Sequence, residues 1–247
     1  MRNSILTTLF ISLVVLACED SGGENSNGLT GKGGSLARFA VTSTHLYTVD
    51  DQSLNVYQIL NDGSLGKINS VEIYQEIETI HASGNSLYIG TTEAMITYDI
   101  TNPSSPQWVS SYSHILACDP VVVQDTLAFV TIRSSNCRPQ GSNTLDIINI
   151  KNRENPVLLS NYTLTSPYGL GVDGNLLFVC EGSSGLKVLD ISNPFNATLI
   201  KAYSNEHAYD VIPSNGLLVL TGDDGVVQYN YSDELNIQKL STIPVTR

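Results

Sequence analysis

The chain has 247 residues, 41% hydrophobic and 15% charged, enough for one domain with a sizeable core. A net charge of −12, with no basic cluster interleaved with aromatics, repels phosphate backbones and excludes nucleic-acid binding. Heptads and long helical periodicity are missing as well, which excludes a helical domain.

The first element reads as an export signal. Arg2 precedes an apolar run from Ile5 to Ala17. As a helix the run would reach only about 20 Å, short of a bilayer core of about 30 Å, so it is not a transmembrane anchor. Val15-Leu16-Ala17-Cys18 resembles a bacterial lipobox, which makes Cys18 the lipidated first residue of the mature protein. The alternative is an ordinary signal peptide cut near Ala17. Residues 18–34 then form the lipidated Cys and a Gly-rich tether of roughly 20 to 25 Å r.m.s. span, in which Glu19 and Asp20 are similar to outer-membrane sorting signals of some bacteria.

Residues 35–247 repeat. "LNVYQILND" from Leu54, "MITYDITNP" from Met95, "LDIINIKN" from Leu145, "LKVLDISNP" from Leu186 and "VVQYNYSDE" from Val226 share columns of apolar residues that stop at turn residues. Runs apolar on both sides suit strands covered on both faces. One column is polar (Gln58, Asp99, Asn149, Asp190, Asn230) and is expected to bind turn amides. A second strand precedes each copy; aligned on Leu46, Leu87, Leu127, Leu177 and Leu218, the offsets are 41, 40, 50 and 41 residues. The long offset places an insertion around residues 133–143, a cost a loop accepts. One segment before and one after complete four strands per unit. A four-stranded period near forty residues predicts an all-β fold, a β-propeller of five four-stranded blades.

The columns "LxVLDIxNP", preceded by "YxxGVxGNLLFVCEGSSG", resemble the LVIVD repeat, a propeller repeat of exported bacterial proteins. The match is closest over residues 168–203 and 79–112 and weak in the first and last units, where Asn-Pro is absent. The resemblance implies a propeller, export and, as a rule, no assigned reaction. It transfers no catalytic residue, and fold alone does not name function.

The residues themselves point to binding rather than catalysis. His45, His81, His114 and His207 have no metal-ligand spacing, and Asp50-Asp51 and Asp223-Asp224 read as hairpin turns, so neither metal nor cofactor is expected. "EGSSG" at Glu181–Gly185 lacks the spacing of a nucleophile elbow. The loops leading into the innermost strands and those joining the two middle strands converge on one face over the channel. They bring Arg38, Glu78, Asp119, Arg133, Arg138, Tyr168, Glu181, His207, Tyr209, Asp210 and Asp223 to it, a mixed-charge set able to orient a polar ligand or a partner's loop.

Besides Cys18 there are Cys118, Cys137 and Cys180. A bridge between Cys118 and Cys137 is feasible on that face, with Cys180 a free buried thiol; Cys137 to Cys180 is the competing pair. The reading is thus a lipid-anchored, non-catalytic binding or scaffold module of the bacterial envelope, in the outer membrane, periplasmic or surface-exposed. Its partner would be an envelope protein, glycan or host molecule. The alternative is an envelope enzyme acting on a lactone or glycan through Asp119, His207 and Asp210, with His207 as base.

Overall fold

The structure is a computed structural model that describes residues 33–113, 120–134, 142–234 and 236–245. Cys18, the signal and the tether up to residue 32 lie outside the described residues, as do Cys118, Asp119, Cys137 and Arg138.

The described residues form twenty strands in five antiparallel four-stranded sheets, each built from consecutive strands. Blade 1 is β1 (Phe39–Val41), β2 (His45–Val49), β3 (Ser53–Ile59) and β4 (Leu65–Glu72). Blade 2 is β5 (Ile77–Ser83), β6 (Ser86–Thr91), β7 (Ala94–Asp99) and β8 (Gln107–Ser113). Blade 3 is β9 (Val121–Gln124), β10 (Leu127–Ile132), β11 (Thr144–Asn149) and β12 (Val157–Thr163). Blade 4 is β13 (Leu170–Asp173), β14 (Leu176–Cys180), β15 (Leu186–Asp190) and β16 (Thr198–Tyr203). Blade 5 is β17 (Asp210–Ser214), β18 (Leu217–Gly222), β19 (Gly225–Asn230) and β20 (Gln238–Ile243). The first strands β1, β5, β9, β13 and β17 touch in succession around the axis, giving the five-bladed propeller that the repeat columns predict.

Strand pairing corrects the alignment of the third unit. Leu46, Leu87, Leu177 and Leu218 face Tyr57, Tyr98, Leu189 and Tyr229, but the residue facing Ile148 is Ala128, not Leu127. The offsets are therefore 41, 41, 49 and 41. A slip of one residue exchanges the two faces of a strand. Leu127 is the half-buried first residue of β10, whereas Ala128 is fully buried.

Two local devices recur. Each outermost strand carries a bulge opposite the third strand, between Val56/Tyr57, Thr97/Tyr98, Ile147/Ile148, Val188/Leu189 and Gln228/Tyr229, which increases blade twist. Four of the five residues of the polar column bind turn amides as expected, while Gln58 of blade 1 is exposed. Oδ1 of Asp99, Asn149, Asp190 and Asn230 accepts the amides of Thr101, Lys151, Ser192 and Ser232 at 2.8 to 2.9 Å. The turns so formed rest on the preceding blade. Asn69 Nδ2 donates to Ser104 O at 3.1 Å, Ser110 Oγ to Arg153 O at 2.6 Å and Ser160 Oγ to Pro194 O at 2.7 Å.

Apolar packing lies between blades. Separate buried clusters join blades 1 and 2, 2 and 3, 3 and 4, and 4 and 5. The middle strands of the inner blades are accordingly buried on both faces: all of β6 and β14, and β10 beyond Leu127. In blades 1 and 5 the pattern reverts to alternation along β2, β18 and β19, the mark of sheets covered on one face. No fifth buried cluster joins blade 5 to blade 1 among the described residues.

Candidate binding face

The loops leading into the first strands and those joining the second and third strands share one end of the propeller. There the structure assembles an array from three blades. The Arg133 guanidinium, at the end of β10, lies 4.1 Å from the centre of the Tyr168 ring. The Tyr168 and Tyr209 rings meet edge to face at 5.0 Å, and the Tyr209 hydroxyl donates to Asp223 Oδ2 at 3.0 Å. Cation, two phenols and carboxylate form one continuous chain of contacts, a set that presents aromatic surface and both charge signs to a ligand.

Backbone bonds hold both phenols in place. The Tyr168 amide donates to Cys180 O at 2.8 Å, and its carbonyl accepts the Thr131 hydroxyl at 2.7 Å. The Tyr209 amide donates to Thr221 O at 2.8 Å, while its carbonyl accepts the Gly169 amide at 2.8 Å. Gly182, at φ 55, pairs with Ala208 by two backbone bonds; a Cβ there would sit 2.6 Å from the Tyr168 ring. Of "EGSSG", then, the first glycine makes room for an aromatic ring and the segment is a hairpin turn.

Among the described residues, Arg38, Glu181 and Asp210 bond outside this array. Arg38 pairs with Asp51 at 3.0 Å on the exposed surface, a contact of small energetic weight. Asp50 accepts the amides of Gln52 and Ser53, the turn role expected of it. Glu181 is buried, accepting the Thr165 amide at 2.5 Å through Oε1 and pairing with Lys187 at 2.6 Å through Oε2. His207 is exposed. Cys180 is free and fully buried, and burial together with the nearby Asp210 charge pushes its thiol well up.

Asp210 turns inward. Its Oδ1 accepts the Ser35 hydroxyl at 3.0 Å, and a Cβ at Gly34 or Gly169 would overlap its carboxylate. Burial raises its pKa; hydrogen bonds from Val211, Ser35 and Leu36 offset this only in part.

Sequence reasoning missed the opposite end. A cavity of about 590 Å³ follows the axis, lined by the first strands and bounded by His81, Ser83, Gln124, Asp173 and Ser214 next to the hairpins that follow them. Gln124 braces that rim, donating to Gly174 O at 2.8 Å and accepting the Gly174 amide at 3.0 Å. Neither tyrosine of the array lines the cavity. The available signal was the row of polar residues at the ends of the first strands.

The comparisons agree with this architecture. Residues 77–114 and 169–205, covering blades 2 and 4, match the LVIVD repeat. No curated protein sequence matches the chain. Among solved structures it is similar to the periplasmic gluconolactonase PpgL of Pseudomonas aeruginosa, with TM-score 0.64 and 11% identity over 82% of this chain and 68% of that one. Apo AztD from Citrobacter koseri gives TM-score 0.60 at 8% identity over 84% of this chain, and Kluyveromyces lactis Hsv2 gives 0.55 at 14% over 82%. The chain spans 63% and 62% of the length of these last two. Fold and repeats together define the class: a five-bladed propeller containing LVIVD repeats.

Proposed function

We propose that the chain is a non-catalytic binding or scaffold module of the bacterial envelope, held by a lipid on Cys18 and engaging an envelope protein, glycan or host molecule through the Arg133, Tyr168, Tyr209 and Asp223 array. The observation that carries this reading is the array itself, a set of contacts drawn from three blades and fixed by backbone bonds. Preorganised aromatic groups lose little entropy on binding, which makes such a surface effective without any reaction.

The test is crosslinked capture from envelope preparations with wild type and Tyr168→Ala/Tyr209→Ala. A partner recovered by the first and lost by the second supports the reading; equal recovery, or no specific partner, removes it.

The likeness to a gluconolactonase, at 11% identity, shows the fold alone. An enzyme using His207 as base would need a carboxylate to orient it, and the Asp210 carboxylate is engaged by Ser35, Leu36 and Val211. Lactone hydrolysis that disappears in His207→Ala would replace the binding reading with the enzymatic one.

A further inference from the structure

The junction of blades 5 and 1 differs from the other four at every level. At each packed junction an aromatic from the second strand fills the interface: Tyr47, Tyr88, Phe129 and Phe178, all buried. The corresponding residue of blade 5 is the half-buried Val219. Beside it, Val49, Gly90, Thr131 and Cys180 are buried, but Thr221 is exposed. Val56, Thr97, Ile147 and Val188 are buried, whereas the blade 5 equivalent, Gln228, is half-buried. On the facing side of blade 1, Thr48 stands where the other blades have Ile89, Val130, Val179 and Leu220.

The polar groups at this seam are satisfied within their own blades. Gln228 Oε1 accepts the Ser241 hydroxyl at 3.3 Å. Asn55 donates to Asp50 Oδ2 at 3.1 Å and accepts the Ser70 hydroxyl at 2.9 Å. Ser241 occupies the column in which Asn69, Ser110 and Ser160 reach the next blade, yet it bonds inside its own. Separating blades 5 and 1 therefore strands none of these groups, and their faces have the polar character of terminal repeats. Among the described residues, what bridges them is the segment before β1: Ser35 Oγ donates to Asp210 and accepts the Leu170 amide at 2.7 Å.

We propose that the propeller is a clasped ring that opens reversibly at the seam between blades 5 and 1, with Ser35 and Asp210 as the clasp. Because Phe39 and Ala40 of β1 and Val211, Pro213 and Ser214 of β17 line the axial cavity, opening widens the channel from the side. Local opening draws on segments with the least buried apolar contact, and this seam is that segment.

Hydrogen exchange of the full chain, read by mass spectrometry, tests the clasp. Peptides covering 33–49 and 210–230 are expected to exchange faster than the matching peptides of blades 2, 3 and 4. Asp210→Ala should accelerate both flanks together by about tenfold or more and leave blades 2 to 4 unchanged, since it removes a charge-assisted hydrogen bond. Ser35→Ala reads the same clasp by a milder change and should move both flanks in the same direction. Equal protection of all five blades in the wild type overturns the proposal, as does an acceleration spread evenly over the molecule.

Discussion

Asp210 Oδ1 and the Ser35 hydroxyl meet at 3.0 Å although 175 positions separate them, which ties the start of blade 1 to the first strand of blade 5. The same Ser35 oxygen accepts the Leu170 amide, so one side chain bridges to both blade 4 and blade 5. Two glycines crowd this point: a Cβ at Gly34, which also lines the cavity, or at Gly169 would overlap the carboxylate.

Burial of the Asp210 carboxyl, which the Ser35 bond opposes only in part, gives a pH dependence with a definite sign. Burial raises the pKa of Asp210 above its ordinary 3.8, so the folded chain binds this proton more readily than the unfolded chain does. The stability that wild type gains over Asp210→Ala should be largest below that ordinary value, fall as pH rises through the raised folded value, and stay constant above it. Urea titrations of both proteins between acid and neutral pH check this. At neutral pH the variant should be less stable by about 2 kcal/mol, because donors from Ser35 and Leu36 lose a charged acceptor.

Packed junctions and seam should respond differently to truncation. Phe129 is fully buried between blades 3 and 4, and Phe129→Ala should cost about 3 to 5 kcal/mol. Val219→Ala, at the equivalent column of blade 5, should cost about 1 kcal/mol or less. Denaturant midpoints at constant slope measure both, and a Val219→Ala cost equal to that of Phe129→Ala would mean a sealed ring.

The polar column predicts a rank order. Asp190 Oδ1 accepts the Ser192 amide at 2.8 Å, and the same column holds Asn149 and Asn230 in that role. Asp190→Asn should leave the melting temperature nearly unchanged, while Asp190→Ala should lower it. Equal losses would show that charge, rather than the acceptor, matters.

Much of this was legible because repeats make each column an average over blades. The amide-binding role of Asp99, Asn149, Asp190 and Asn230 needed only the coexistence of Asp and Asn at one position. Blade 3 misled because Leu127 and Ala128 are both apolar, and only strand pairing decides which faces Ile148. The seam was also written in the sequence, as Val219 after Tyr47, Tyr88, Phe129 and Phe178, but a column break reads as a weak repeat until burial shows that a neighbouring face is missing. Asp210 was read as a surface group because its partner, Ser35, lies 175 positions away and outside every repeat.

Two expectations rest on the sequence. Cys18→Ser should release the protein from membranes in a high-salt wash, since in the proposed reading acyl chains rather than charge contacts supply the anchor. Peptide mapping without reductant should recover Cys118 joined to Cys137, closing a segment that would stabilise the fold by roughly 3 kcal/mol in the chain-entropy account. Retention of the variant, or recovery of both thiols alkylated, overturns the respective expectation.

The array on the binding face separates recognition from stability. Arg133 over Tyr168 is a half-buried cation–π contact, worth about 1 kcal/mol to the fold. Arg133→Glu reverses the charge that this end presents and should sharply reduce partner capture while changing stability by about that small amount. Arg138, from the same enlarged loop, should behave alike, with Arg138→Glu weakening capture at a nearly unchanged melting temperature. Tyr209→Phe supplies the control: it keeps the ring that packs on Tyr168 and removes the hydroxyl that bonds Asp223. Capture that survives Tyr209→Phe but not Arg133→Glu assigns recognition to the cation and the aromatic surface. Capture unaffected by any of the three returns the loop to the class of tolerated insertions.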